Sequence, residues 1–167
     1  EGPIAHFFPD KTEGCRPLNV QFIDSSINAT SYSWAFNDDG GSSFISNPTH
    51  LFNRAGTWET VLDITQIADS AVCVDRYGPV TFTIHDLPKA DFSIDTSWGC
   101  KKVDVNFTNL SSNGASKFVW NFGDNSTDTI ATSPFMHVYL EGQFNVKLNV
   151  ETPFGCKDSI IQNKVIT

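Results

Sequence analysis

The same pattern of residues occurs twice along the chain. Aromatic, glycine, cysteine and tryptophan positions recur in one order, first in the amino-terminal half and again in the carboxy-terminal half. The matching stretches are 4–8 with 89–93, 19–22 with 104–107, 32–38 with 118–124, 50–52 with 137–139 and 56–58 with 142–144. Such ordered self-similarity is typical of one structural unit built twice. We therefore predict two domains, residues 1–88 and 89–167.

Apolar and polar residues alternate within each copy. The alternation is clearest at residues 80–84, 103–107 and 144–150, and a period of two predicts strands with one buried face. Turn-forming residues separate these stretches, for example at 39–42 and 113–114. No stretch shows the apolar spacing of a long amphipathic helix. We predict an all-β fold with about seven short strands in each copy, arranged as an immunoglobulin-like two-sheet sandwich.

Each copy has one early and one late cysteine. Cys15 and Cys73 are 58 positions apart, and Cys100 and Cys156 are 56 positions apart. Because these positions are equivalent, we predict the bonds Cys15–Cys73 and Cys100–Cys156, whereas the other two pairings would cross the boundary between the copies. Paired cysteines predict an oxidising, extracellular location. The alternative, a metal site with four thiolates, lacks the Cys-x-x-Cys pair typical of zinc sites.

The formal net charge of −8 limits the classes of partner. An acidic chain is poorly suited to nucleic acid or to an anionic membrane surface, and no apolar run approaches the ~20 residues of a membrane span. Residues 1–88 contain 4 basic and 11 acidic residues, a balance of −7, and residues 89–167 contain 7 and 8, a balance of −1. The acidity therefore belongs to the first copy, and the shared fold does not require it.

A family resemblance begins at residues 118–124 (Phe-Val-Trp-Asn-Phe-Gly-Asp). With Pro134, Tyr139 and the Gly-Gln-Phe-Asn-Val run at 142–146, this stretch resembles the polycystic kidney disease (PKD) domain. The resemblance covers both copies and implies an immunoglobulin-like β-sandwich, and the chain shows no catalytic constellation that would make it an enzyme. The copies depart from the usual pattern at Asn37 and Asn125, where glycine is common, but asparagine tolerates the positive φ of such turns.

The cysteine-bearing variety of the domain narrows the resemblance further. Gly-Cys near the start of a copy and Gly-Cys-Lys-Asp at 155–158 look like modules of large surface proteins from Bacteroidetes-type bacteria. Such proteins are commonly exported by the type IX system, and some are similar to gliding-motility adhesins. The resemblance implies an exported bacterial cell-surface protein with candidate O-glycosylation sites at Ser70, Thr129 and Ser159.

Several aromatic residues are candidates either for the core or for ligand binding. Trp34 and Trp120, with Phe36 and Phe122, recur at equivalent mid-strand positions. We interpret them as core residues of the sandwich rather than as platforms for sugar rings. Trp98 lies in a predicted loop and stays open to two interpretations, an interface or surface residue and a ligand-binding aromatic.

Acidic and histidine residues near the turns are candidates for chemistry. Asp38, Asp39 and Asp124 adjoin turn residues, where carboxylates can bind Ca²⁺ or accept hydrogen bonds from the turn itself. We favour the structural role for Asp38 and Asp124, and we expect no other cofactor. The equivalent His50 and His137 have no nucleophile or base at a matched position, so we interpret them as structural.

These observations predict a non-catalytic segment of a large surface adhesin that spaces and presents a binding region. We expect its partners to be neighbouring domains of the same protein and surface glycans, and the segment itself to be monomeric. The short join at 86–89 contains one proline, which disfavours a flexible tether. The alternative is an accessory module of a secreted hydrolase that binds polysaccharide or protein.

Overall fold

The chain divides into two compact units in the computed structural model, Glu1–Asp86 (unit 1) and Leu87–Thr167 (unit 2). The structure describes residues 1–68, 71–96, 98, 101–112, 114–140 and 142–166. For residues 164–166 it describes the backbone alone. Strands and turns account for the described residues, and no helix among them is long and apolar enough to cross a membrane.

Unit 1 forms two sheets. Its strands are β1 (Phe7–Pro9), β2 (Glu13–Cys15), β3 (Leu18–Asp24), β4 (Ser31–Ala35), β5 (Ser42–Ser43), β6 (Thr49–Phe52), β7 (Gly56–Ala68) and β8 (Ala71–His85). One sheet has the order β1-β3-β6, and the other has the order β2-β8-β7-β4-β5. The short strand β2 runs parallel to the end of β8, and the other paired strands of the unit are antiparallel.

Unit 2 repeats this architecture. Its strands are β9 (Phe92–Ile94), β10 (Lys102–Asn109), β11 (Lys117–Asn121), β12 (Thr127–Asp128), β13 (Phe135–Leu140), β14 (Phe144–Glu151) and β15 (Lys157–Ile166). The sheet orders are β13-β10-β9 and β12-β11-β14-β15. The described part of unit 2 therefore has the predicted seven strands, and unit 1 has β2 in addition.

Apolar side chains from both sheets meet in one core within each unit. Phe22 of β3 packs against Trp34 of β4 with ring centroids 5.5 Å apart, and Phe107 of β10 lies 5.7 Å from Trp120 of β11. Trp34 and Trp120 are 1% and 0% exposed. Two further rings, Phe36 and Phe122, are buried beside them. The all-β, immunoglobulin-like sandwich predicted from the alternation of residues is confirmed.

A longer hairpin distinguishes unit 1 from unit 2. In unit 1 the pairing of β7 with β8 continues past Thr65↔Val74 to Ala68↔Ala71, whereas in unit 2 the pairing of β14 with β15 stops at Glu151↔Lys157. The extra residues around 66–72 therefore extend two strands that both units share, and they leave the rest of the sandwich unchanged.

The predicted bond between Cys15 and Cys73 is wrong. Cys15 is disulfide-bonded, but Cys73 is a free, exposed thiol. The register explains this, because Cys15 lies beside His85 at the end of β8, and Cys73 lies 85 − 73 = 12 residues earlier in the same strand. At ~3.3 Å per residue, the two positions are about 40 Å apart, whereas a disulfide needs Cα atoms about 6 Å apart.

The structure describes only one of the two residues of the second predicted bond, Cys100–Cys156. Cys156 is disulfide-bonded and 1% exposed, and its amide N–H donates to Thr152 Oγ1 over 3.1 Å. Cys100 lies outside the described residues.

Candidate functional site

One histidine–aspartate pair recurs at the same place in each unit. In unit 1, His50 Nε2 lies 2.7 Å from Asp38 Oδ2, and in unit 2, His137 Nε2 lies 2.8 Å from Asp124 Oδ2. The aspartate follows β4 or β11 in one sheet, and the histidine lies in β6 or β13 in the other sheet. Each pair therefore joins the two sheets of its sandwich across one end of the core.

Aromatic stacking fixes the histidine rings. His50 stacks on Phe36 with centroids 4.0 Å apart and planes 9° apart, and His137 stacks on Phe122 at 3.9 Å and 6°. The phenylalanine comes two residues before the aspartate in both copies, so one turn supplies both contacts of the ring. This turn bends through positive φ at Asn37 (54°) in unit 1 and at the equivalent Gly123 (83°) in unit 2.

The unit 2 site has more hydrogen bonds than the unit 1 site. Asp124 Oδ1 accepts hydrogen bonds from the backbone N–H and the hydroxyl of Ser126. Tyr139, which is fully buried, donates from its hydroxyl to the carbonyl oxygen of Phe122 over 3.1 Å. In unit 1 the equivalent residues are Gly41 and Phe52, which have no side-chain donor.

Two pKa shifts follow from these contacts. Burial disfavours the charged form of Asp124, but the hydrogen bonds from Ser126 and His137 outweigh it, so the pKa of Asp124 is lowered. Burial, and secondarily the charge of Asp124, raise the pKa of Tyr139. Asp124 is therefore held as a carboxylate and Tyr139 as a hydroxyl, which are the forms that these hydrogen bonds need.

The residues considered for Ca²⁺ point to different partners. Asp38 faces His50 and Asp124 faces His137, whereas Asp39 forms an exposed ion pair with Arg54. Among the described residues, no group of three or more His, Cys, Asp and Glu side chains is arranged to hold a metal ion. The structure thus places Asp38 and Asp124 in the inter-sheet pairs and does not bring Asp39 to them.

A second inter-sheet contact was missed from the sequence. Asp75 of β8 accepts a hydrogen bond through Oδ2 from the N–H of Ala5, and Asp158 of β15 accepts the same bond from Ala90, both over 2.8 Å. The alanine precedes the first strand of each unit, and the aspartate lies in the opposite sheet. The signal was present as the Cys-x-Asp spacing shared by 73–75 and 156–158.

The remaining candidates lie on the surface. Trp98 is 75% exposed beside a shallow depression of about 190 Å³ lined by Ile94, Asp95 and Thr96. Two of the candidate glycosylation residues, Thr129 and Ser159, are exposed, and Ser70 lies outside the described residues.

The geometry of the histidine–aspartate pairs is that of a structural contact. A hydrolytic triad needs a hydroxyl or thiol nucleophile hydrogen-bonded to the second ring nitrogen of the histidine. Among the described residues, the hydrogen bonds of His50 and His137 go to Asp38 and Asp124. The ring faces are covered by Phe36 and Phe122, so these side chains hold the sandwich together.

Comparison with protein-family models decides the family. The model described as the PKD domain matches residues 1–78 and again residues 86–167. The chain belongs to the PKD domain family. The first match covers most of one sandwich and the second covers the other, and each includes its inter-sheet histidine–aspartate pair. PKD and immunoglobulin-like domains of this kind are typically non-catalytic interaction or structural modules.

Other comparisons add likenesses at low identity. Solved structures similar to these PKD domains include the fibronectin(III)-like modules of Clostridium thermocellum CbhA, with 10% identity, a TM-score of 0.40, and coverage of 93% of this chain and 92% of that one. Murine CEACAM1b has 12% identity, a TM-score of 0.42, and coverage of 98% and 100%. A search of curated proteins finds no match.

Proposed function

We propose that these PKD domains are a non-catalytic extracellular segment that spaces and presents a binding region of a larger surface adhesin. The observation that supports this proposal is that the Asp38–His50 and Asp124–His137 pairs join the two sheets of the sandwich in the same way in both units. Aspartate and histidine are residue types that enzymes use for catalysis, but here they stabilise the fold that both units share.

The extracellular location is supported by the cysteines, since Cys15 and Cys156 are disulfide-bonded and such bonds persist in oxidising compartments. We extend the proposal to a Bacteroidetes-type protein exported by the type IX system and involved in gliding motility, on the resemblance of the Gly-Cys-Lys-Asp run at 155–158. Its partners would then be neighbouring domains of the same protein and surface glycans.

A replacement experiment in the parent protein tests the spacer role. Residues 1–167 would be deleted in one strain and replaced by two unrelated immunoglobulin-like sandwiches in another, and adhesion and gliding would be measured. A spacer depends on length rather than sequence, so the replacement should restore function that the deletion removes. A replacement strain as defective as the deletion strain would contradict the spacer role.

The second candidate function, an accessory module of a secreted hydrolase, is favoured by one observation. Trp98 exposes 75% of its surface, and an exposed indole can stack on a sugar ring. Binding to insoluble polysaccharides and to a glycan array would be compared for wild type, Trp98→Ala and the control Phe44→Ala, because Phe44 is a similarly exposed aromatic in unit 1 (73%). Binding lost in Trp98→Ala alone would support this candidate.

The Ca²⁺ and glycosylation expectations stay predictions with direct tests. We expect the melting temperature to be the same in CaCl₂ and in EDTA, because Asp38 and Asp124 already have histidine partners. Peptide mass spectrometry of protein from its native source would show whether Thr129 and Ser159 are glycosylated.

A further inference from the structure

Unit 1 has an exposed row of large apolar side chains on the outer face of its three-stranded sheet. Ile4 pairs with Ile27 and Phe8 pairs with Ile23, so the four side chains form two cross-strand pairs, and His6 and Ser25 are in contact between them (Nδ1 to Oγ, 2.8 Å). They are 55%, 54%, 56% and 51% exposed, respectively. Phe7 and Phe22, which precede Phe8 and Ile23 in their strands, point into the core. We call Ile4, Phe8, Ile23 and Ile27 the apolar stripe.

Unit 2 shows that the fold does not need this stripe. Ser93 pairs with Thr108 where unit 1 has Phe8 and Ile23, and the N–H of Ser112 donates to the carbonyl of Lys89 where unit 1 has Ile27 and Ile4. The four equivalent residues are thus all polar: Lys89, Ser93, Thr108 and Ser112. Because both units build the same sandwich, the apolar side chains of unit 1 require an explanation other than folding. Clustered exposed apolar residues of this kind typically mark an interaction surface.

The backbone beside the stripe offers few groups for strand addition. β1 lies at the edge of its sheet, where a partner strand would otherwise pair with free N–H and C=O groups. The N–H of Ala5 is already bonded to Asp75 Oδ2, and Pro9 has no N–H. A partner would therefore pack chiefly on the side chains of the stripe.

The charge of unit 1 indicates the chemistry of that partner. Asp24 follows Ile23 in β3, with Oδ1 accepting a hydrogen bond from the N–H of Ser26, and Asp75 lies behind Ala5. Residues 1–86 have a balance of −7, and each of their four cations is already paired with an aspartate. These ion pairs are Lys11–Asp10, Arg16–Asp86, Arg54–Asp39 and Arg76–Asp63.

We propose that the apolar stripe is a docking surface for a protein partner whose own apolar side chains are flanked by lysine and arginine. Apolar burial supplies the attraction, and the acidic unit selects a basic partner and steers its approach. A second copy of this chain is disfavoured, because two surfaces of the same negative charge would repel. The spacer role proposed above does not depend on this surface, so the loss of partner binding would leave that role intact.

Selection from a phage-displayed random peptide library tests the proposal on the whole chain. The stripe variant carries Ile4→Ser, Phe8→Ser, Ile23→Thr and Ile27→Ser. The last three substitutions introduce the residue that unit 2 has at the equivalent position. Serine is used at position 4, where unit 2 has Lys89, so that the net charge of the protein does not change. The control variant carries Met136→Thr and Leu140→Asn, which introduce the unit 1 residues of that strand at two exposed apolar positions (58% and 70%). Circular dichroism melts would establish that each variant is folded.

We expect selected peptides to be basic and apolar. As synthetic peptides they should bind the stripe variant at least about tenfold more weakly than wild type, bind the control variant as wild type, and lose affinity as salt is raised. Peptides that bind the stripe variant as well as wild type, or that carry no net positive charge, would overturn the proposal, as would a selection without stripe-dependent peptides. Sedimentation of wild type as a dimer and of the stripe variant as a monomer would overturn it in favour of a second copy. If the stripe variant does not fold, Phe8→Ser and Ile23→Thr are tested singly by the same criteria.

Discussion

Asp124 and His137 join the two sheets of unit 2 through a hydrogen bond of 2.8 Å between Oδ2 and Nε2. The carboxylate is part-buried and also accepts two hydrogen bonds from Ser126, so its removal leaves several donors without an acceptor. Hydrogen bonds to a charged group each contribute about 1.5–3 kcal/mol. We expect Asp124→Ala to lower the free energy of unfolding of unit 2 by at least about 2 kcal/mol in urea denaturation followed by tryptophan fluorescence.

A double-mutant cycle separates the pair from its surroundings. Asp124→Ala, His137→Ala and the double variant should show a coupling free energy of about 1 kcal/mol or more, because the two side chains are in direct contact. Strictly additive effects would show that the two residues stabilise the unit independently.

Acid should weaken unit 2 through the same aspartate. Its folded-state pKa is lowered, so its contribution is complete above the unfolded-state pKa of about 3.9 and is lost as the pH falls through the lower folded-state value. We expect the free energy of unfolding of wild type to fall more steeply below about pH 4 than that of Asp124→Asn. Parallel curves for the two proteins in urea denaturation at a series of acidic pH values would contradict this assignment.

The repeat and the alternation of residues were enough to predict the sandwich, because both are local properties of the chain. Trp34 and Trp120 could be assigned to the core because they occupy the same position in the two copies of the repeat. The cysteines show the limit of this reasoning. Cys15 and Cys73 occupy positions equivalent to Cys100 and Cys156, but equivalence between copies does not say which ends of the strands meet. That depends on the register of β2 with β8, which places Cys15 beside His85.

Chemical labelling checks the state of Cys73. We expect iodoacetamide to alkylate Cys73 in the native, unreduced protein, and Cys15 and Cys156 to be alkylated only after reduction and unfolding. Cys73→Ser should abolish the Cys73 label and leave Cys15 protected. A peptide containing Cys15 linked to Cys73 in a non-reducing digest would contradict the structure.

Thr60 is a buried residue whose hydroxyl has no hydrogen-bond partner among the described residues. The equivalent position in unit 2 is Val146, which is also fully buried and has the same shape without the hydroxyl. Thr60→Val should therefore raise the free energy of unfolding of unit 1 by about 1 kcal/mol. The reciprocal Val146→Thr should lower that of unit 2 by about 1–3 kcal/mol. Equal stabilities of Thr60→Val and wild type in urea would indicate that the hydroxyl is satisfied in solution.

The inter-sheet pairs were harder to predict than the core. Asp38 and His50 are separated by a loop and β5, and their contact depends on how β6 pairs with β3 in the opposite sheet. In the sequence, Asp38 and His50 each recur in the second copy, and the position of Asp38 beside a turn suggested a structural role. Neither observation indicated that the two side chains are in contact. Asp75 was missed for the same reason, because its partner is a backbone N–H near residue 5.

Gly123 provides the last test, because its turn leads into Asp124. Its φ is +83°, and a Cβ there would lie 2.5 Å from the carbonyl oxygen of Asn145. Gly123→Ala combines left-handed strain of about 1–3 kcal/mol with this backbone clash, so we expect it to lower the free energy of unfolding of unit 2 by more than about 2 kcal/mol.

Asn37 holds the equivalent position in unit 1 at a φ of 54°, and its Nδ2 donates to the carbonyl oxygen of Glu59 over 3.0 Å. Asn37→Gly should change stability by less than about 1 kcal/mol. Equal decreases in the free energy of unfolding of the two variants, measured by urea denaturation, would show that the close approach to Asn145 is not the reason for glycine at position 123.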